Sequence, residues 1–270
     1  MKTSGSVAVG DGVEIAYTNY GGDSAHSVLI GPGLGATQLG YEADAKFLAA
    51  QGRRVVCFDL RGLGKSTRPT DCSKEQVSPE KLGADAVALA RTLNIRSVDY
   101  IGHSLGGLVG LEAVSKAPEL FRSLITYGTT YELNYPFIIV PLQALMYKLL
   151  GKKRLADFVA KKSSHLESAQ DLIRRHFAEF PTDVGKMMSA NIYRYSYLKV
   201  LEQWRGPILM LKGSLDVSIN NNLDSTLGQL RKRENFQLVE IPEAGHFTNL
   251  DKPELVRSAI ESFLKKLDEV

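Results

Sequence analysis

Cysteine is nearly missing from this chain of 270 residues, which carries only Cys57 and Cys72. That excludes a disulfide framework. Cys57 on an apolar run and Cys72 in a polar loop read as free thiols of a reducing compartment, so a cytoplasmic location is expected. The opening Met1-Lys2-Thr3-Ser4-Gly5-Ser6 has no apolar core, so no secretory signal is expected. Nor is there a long hydrophobic run. The greasiest stretch, Tyr135 to Tyr147, is too short for a membrane span and is interrupted by Pro141. Charge of one sign is not in excess: 33 Lys and Arg face 30 Asp and Glu, a net +3, which argues against a nucleic-acid partner. Repeats, low-complexity tracts, metal-ligand spacings and a G-x-G-x-x-G loop are all missing. The glycines around Gly31 lack the lysine and hydroxyl residue of a phosphate loop. The expectation is chemistry with no cofactor and no metal.

What is present is alternation. Strand patterns fall at Val13–Tyr20, Ser27–Ile30, Arg54–Phe58, Val98–Ile101, Ser123–Tyr127, Pro207–Lys212 and Phe236–Ile241. Helical patterns fall at Tyr41–Gln51, Glu80–Leu93, Leu105–Lys116, Leu223–Leu230 and Pro253–Leu267. Such an order predicts an α/β domain whose mostly parallel sheet has helices on both faces. Between the Val98–Ile101 strand and the next helix stands Gly102-His103-Ser104-Leu105-Gly106. G-x-S-x-G alone is a weak signal, and a serine in an ordinary glycine-rich loop would give the same string. Between a buried strand and a helix it predicts a turn so tight that the Ser104 hydroxyl projects above the sheet.

A serine hydroxyl needs a base, and the base needs a carboxylate to hold its tautomer. The chain offers five histidines. His26 precedes a strand in a polar turn. His103 lies on the turn itself with its side chain directed away from the serine. His165 and His176 fall in a basic helical segment. His246 follows the Phe236–Ile241 strand in the loop Pro242-Glu243-Ala244-Gly245-His246-Phe247, where a base can overhang a neighbouring serine, or where a histidine can merely cap or pack. Asp216 ends Gly213-Ser214-Leu215-Asp216 after the Pro207–Lys212 strand, at the same sheet edge as Ser104. It reads as the acid or as a turn aspartate bonding its own backbone. Glu243 and Asp224 are its rivals.

With the order Ser104, Asp216, His246, the chain resembles the α/β hydrolases. The likeness extends to Asp59-Leu60-Arg61-Gly62-Leu63-Gly64-Lys65-Ser66, which matches the family's D-x-R-G-x-G-x-S turn, and to Gly245-His246 with Pro253-Glu254 downstream. The family's H-G-x-x-G oxyanion loop becomes Gly31-Pro32-Gly33-Leu34-Gly35, with Pro32 in the place of the histidine. The resemblance implies that the backbone N–H groups of Leu34 and Leu105 receive the oxyanion. It also implies a cap over residues 131–203, where alternation gives way to helical periodicity with no clear strand, and a core of 1–130 and 204–270. The apolar start of that cap would pack on the core or line an acyl- or ring-shaped pocket. Its basic clusters Lys152-Lys153-Arg154, Lys161-Lys162 and Arg174-Arg175 form a solvated face or meet an anionic surface or substrate.

The implied activity is cofactor-independent hydrolysis of a small, apolar carboxylic ester or lactone through an acyl-enzyme. A serine nucleophile argues against the family's epoxide hydrolases and haloalkane dehalogenases, which use aspartate there. A faint likeness to fungal macrolactone hydrolases does not carry over their acid, because Gly128 occupies its place. The alternatives are C–C bond or amide cleavage with the same three residues, or a ligand receptor of the same fold without turnover.

Overall fold

In the computed structural model, which describes residues 1–71 and 73–269, ten strands and eleven helices alternate. Cys72 lies outside the described residues. The strands are β1 (Lys2–Gly10), β2 (Val13–Tyr20), β3 (Ser27–Gly31), β4 (Arg54–Phe58), β5 (Val98–His103), β6 (Phe121–Tyr127), β7 (Glu132–Asn134), β8 (Arg194–Ser196), β9 (Ile208–Gly213) and β10 (Phe236–Ile241). The helices are α1 (Glu42–Ala50), α2 (Pro79–Thr92), α3 (Leu105–Lys116), α4 (Ile139–Ser163), α5 (Glu167–Ala178), α6 (Thr182–Ser189), α7 (Leu198–Gln203), α8 (Val217–Asn220), α9 (Asp224–Leu230), α10 (Thr248–Asp251) and α11 (Pro253–Asp268).

Eight strands form one sheet in the order β1-β2-β4-β3-β5-β6-β9-β10. From β4 to β10 every neighbour is parallel, while β1 and β2 form an antiparallel edge. Right-handed crossovers fix the faces. The chain moves outward from β3 through α1 to β4, then back past β3 through α2 to β5 and on through α3 to β6. Hence α1 lies on one face and α2 with α3 on the other, and α11 returns to pack on α1. The direction reverses between β3 and β5, so a crevice opens at their carboxyl ends, where ligands of such sheets bind. The loop Pro32–Gly35 and Ser104 both leave the sheet there.

The predicted strands and helices of the core recur within two residues of their expected limits, and β1 and the short helices α8 and α10 are additions. The β1 sequence KTSGSVAVG buries little beyond Val7, because it is the sheet edge and needs no second apolar face. Residues 131–203 are interposed between β6 and β9. They hold α4 to α7 and, contrary to the expectation of no strand, the short antiparallel ribbon β7–β8. Three-residue strands leave no period to detect. Helix α4 is broken at Gly151, whose backbone is left-handed. Its apolar first half packs on the core only in part: Met146 and Leu150 lie against it, whereas Leu142, Leu145 and Leu149, with Phe137 and Ile138 just before the helix, are exposed.

The turn after β4 braces the crevice. The Asp59 carboxylate accepts from the Gln38 backbone and side-chain N–H groups and from the Lys65 N–H, at 2.8, 2.9 and 3.0 Å. Ser66 donates to the Asp59 carbonyl at 2.7 Å and accepts from the Ala16 N–H at 2.9 Å, tying the turn to β2. Beneath it the fully buried Arg61 grips Asp85 of α2 with two charge-assisted bonds, at 2.6 and 2.5 Å.

Candidate active site

Ser104 caps α3 with φ 52° and ψ −119°, a conformation that a residue with a side chain adopts only under constraint. The constraint is visible. The Ser104 N–H donates to the Tyr127 carbonyl at 2.9 Å, and its carbonyl accepts from the Gly107 N–H and the Thr129 hydroxyl, both at 2.9 Å. The turn closes only because its glycines lack a Cβ. One added at Gly102 would stand 2.5 Å from the Gly106 carbonyl oxygen, and one at Gly106 would stand 2.1 Å from that of Gly31.

The three residues picked from the sequence are brought together. His246 Nε2 lies 3.0 Å from Ser104 Oγ, and its Nδ1 lies 2.8 Å from Asp216 Oδ2. Asp216 is buried, and its other oxygen accepts from the Ser218 hydroxyl at 2.9 Å and the Ile219 N–H at 3.4 Å. Burial alone would raise the Asp216 carboxyl. The facing His246 and the Ser218 and Ile219 hydrogen bonds reverse the sign and hold it below the ordinary carboxylate value. The rivals fall elsewhere: Glu243 pairs with Lys252 on the surface, and Asp224 opens α9.

Leu34 and Leu105 flank Ser104 from two sides. A Cβ on Gly33 would lie 3.2 Å from Ser104 Cβ, so the loop leading into Leu34 passes over the serine, and Leu105 is the first residue of α3. Among the described residues neither backbone N–H donates to a protein acceptor.

Sequence reasoning missed the residues that hold this arrangement. His103 is fully buried, and burial together with the nearby His246 keeps it far below the usual histidine value, hence neutral. Its Nε2 faces the His246 carbonyl oxygen at 3.0 Å, which can only accept, so Nε2 carries the proton. Its Nδ1 must then accept from the Tyr41 hydroxyl at 2.8 Å, whose oxygen in turn accepts from the Gly33 N–H at 3.2 Å. One chain of bonds therefore links the Gly33 loop, the turn and the His246 loop. Where the family's histidine is replaced by Pro32, Tyr41 braces the loop instead.

Helices α4 and α5 reach the same loops. The Thr37 N–H donates to His176 Nδ1 at 3.1 Å, and the Phe177 ring would collide with a Cβ on Gly35 at 2.4 Å. Burial, aided by Arg175, lowers His176 to about 4. At the end of α4, Ser163 accepts from the Phe247 N–H at 3.4 Å and Ser164 bonds Asp251, which also accepts from the Gly245 N–H at 2.7 Å. A cavity of about 440 Å³ opens beside Gly35, lined by Leu39, Leu63, Leu172, His176 and Phe180 among others. Among the described residues no three His, Cys, Asp or Glu side chains converge on a metal position, and no helix is long and apolar enough to cross a membrane.

An arrangement of this kind can withdraw a hydroxyl proton and shelter the resulting imidazolium. The comparisons with known proteins agree with its setting. Serine hydrolase BPHL of Mus musculus is 33% identical over 127 residues, 47% of this chain and 43% of that protein, so this match spans under half of the relative's length. The 3-oxoadipate enol-lactonase 2 of Acinetobacter baylyi is 22% identical over 95% of both chains. The crystal structure of the enol-lactonase from Burkholderia xenovorans LB400 superposes with a TM-score of 0.83 at 20% identity, covering 96% of this chain and 99% of that one. The family model described as the alpha/beta hydrolase fold matches residues 27–253, and with that match the chain belongs to the α/β hydrolase fold family.

Proposed function

We propose that this α/β hydrolase cleaves a small carboxylic ester or lactone through an acyl-enzyme on Ser104, without a cofactor. The observation that carries the reading is the continuous chain from Ser104 Oγ to His246 to Asp216, at 3.0 and 2.8 Å, on a serine held in a strained turn. His246 Nε2 takes the hydroxyl proton as Ser104 Oγ attacks the carbonyl carbon. Asp216 keeps the proton of His246 on Nδ1 and stabilises the imidazolium. The Leu34 and Leu105 N–H groups donate to the oxyanion. Losing one such donor typically costs about a hundred- to a thousandfold in kcat. The imidazolium then gives its proton to the leaving oxygen, which departs from an ester and stays tethered in a lactone. Water, deprotonated by His246, releases the acid and frees Ser104.

The cavity beside Gly35 falls in the size range of small-molecule pockets, roughly 300 to 1,000 Å³; it borders the Gly33–Gly35 loop rather than Ser104 itself, and its lining mixes Leu39, Leu63, Leu172 and Phe180 with Arg175, His176 and Glu179. The enol-lactonase relative supports keeping lactones in the reading. Residues 131–203 serve as the cap of this site, with Phe177 and His176 seated on the oxyanion loop. The test is turnover of a p-nitrophenyl ester series and a γ- and δ-lactone series beside Ser104→Ala. Saturable hydrolysis of at least one series, absent from the folded variant, is expected. Amides or β-diketones turned over in place of both series would replace the ester or lactone assignment.

A further inference from the structure

The first half of α4 is the most unusual surface of the molecule. Ile138, Leu142, Leu145 and Leu149 recur at helical spacing and are 67%, 61%, 48% and 70% exposed, and Phe137 beside them is 62% exposed. Of thirteen large hydrophobic side chains exposed among the described residues, eight fall between Phe137 and Leu166. Scattered apolar residues need no explanation, but a contiguous stripe of this kind marks a surface that is covered in use.

The charge around the stripe says by what. Helix α4 carries six basic side chains and one acid, Asp157, a net of +5, against +3 for the whole chain. The rest of the protein is therefore net acidic, and the cations are concentrated beside the stripe. Lys148, Lys152, Lys153 and Arg154 are exposed, and none forms an ion pair among the described residues. Beyond Gly151 the second half of α4 and α5 enclose an open groove of about 1190 Å³ lined by Ala156, Phe158, Lys162 and Arg175 among others, with Lys161 paired to Asp157 at 3.0 Å on its wall. Apolar side chains bordered by Lys148, Lys152, Lys153 and Arg154 match a layer of acyl chains beneath anionic headgroups. A second copy of the chain fits poorly, because a twofold contact through this stripe would set the four cations against their own copies.

We propose that the α4 face of residues 137–162 docks on an anionic lipid surface, with the stripe entering the acyl boundary and the lysines meeting the headgroups. The backbone accommodates such seating. Gly151 breaks the helix at φ 66° with open space around it, while the far end of α4 is fastened to the His246 loop through Ser163 and Ser164. Docking of this kind requires no turnover by Ser104, so it is read by binding alone.

The experiment is sedimentation of the 270-residue protein with sucrose-loaded vesicles, either phosphatidylcholine alone or phosphatidylcholine and phosphatidylglycerol in equal parts. Binding to the anionic vesicles is expected, little to the neutral ones, and release at about 1 M salt, where the Debye length falls to about 3 Å. A lysine near an anionic surface contributes about 1 kcal/mol, roughly fivefold, so Lys152→Gln with Lys153→Gln should weaken partitioning about thirtyfold. Leu142→Ser with Leu149→Ser should abolish it. All four side chains are exposed, so unchanged melting and unchanged hydrolysis of a soluble ester accompany these losses. Equal binding to both vesicle types, no binding to either, or variants that bind like the parent would overturn the proposal. So would a dimer in sedimentation velocity that the leucine variant dissociates, which would assign the face to a second copy.

Discussion

Replacing Tyr41 with phenylalanine tests whether the bonds behind the serine matter. The ring volume is kept and one oxygen is removed from a fully buried position. That oxygen serves two partners, the Gly33 N–H at 3.2 Å and His103 Nδ1 at 2.8 Å. Each buried polar group left without a partner costs about 1 to 3 kcal/mol, so with some local relaxation the loss is about 2 to 4 kcal/mol. At roughly 2 to 4 °C per kcal/mol for a chain of this size, the melting temperature should fall by about 4 to 16 °C. Gly33 is adjacent to Leu34, so loosening it shifts the proposed oxyanion donor without deleting it. The effect on kcat should be about tenfold, well short of the hundred- to thousandfold cost of losing a donor, with KM little changed. Differential scanning fluorimetry and steady-state kinetics on a p-nitrophenyl ester give both numbers. A variant that melts and turns over like the parent would refute the brace.

His176 predicts a pH effect. Its folded value is about 4, against about 6.5 when exposed, so the unfolded chain binds a proton that the folded one refuses. Its contribution to stability is therefore full above about pH 6.5 and is lost as pH falls towards about 4, by up to about 3 kcal/mol. Denaturant titrations across that window should show the decline. His176→Asn, which keeps an acceptor for Thr37, should flatten it, and an unchanged slope would count against burial as the cause. Gly106→Ala should cost both activity and stability, because the new Cβ meets the Gly31 carbonyl at 2.1 Å and must push the turn and the β3 loop apart. A variant with parental melting and kcat would mean that this close approach is not needed. Asp85→Ala removes the bidentate carboxylate of the buried Arg61, leaving only the carboxylate of Asp11 at 3.9 Å, and should destabilise by about 3 kcal/mol, measurable by urea denaturation; a loss under about 1 kcal/mol would contradict it.

Legibility from the sequence followed the range of each interaction. Ser104, Asp216 and His246 were readable because each follows an apolar strand in a loop, and parallel strands carry all such loops to one edge. Tyr41 was not, since its partner His103 is 62 residues away and no motif joins them. From the sequence His103 reads only as a residue of the turn facing away from the serine. Its tautomer became fixed only once the His246 carbonyl was placed against it. The departure at Pro32 was visible at once, but not that a tyrosine from the start of α1 would take over the bracing. Strand β1 escaped because an edge strand need not alternate, and β7 and β8 because three residues carry no period. For α4 the pattern was legible and its meaning was not: an apolar run reads the same whether it faces a core or something outside the chain.

Acyl transfer through Ser104 Oγ leaves a covalent trace. Mixing the protein with a p-nitrophenyl ester, quenching in acid within the first turnovers and mapping the product by mass spectrometry addresses it directly. A burst of p-nitrophenolate stoichiometric with protein, together with an acyl group on the peptide that contains Ser104, is the predicted result, and both should vanish in Ser104→Ala. Turnover that persists in that variant, or an acyl group carried on any other residue, would contradict the account.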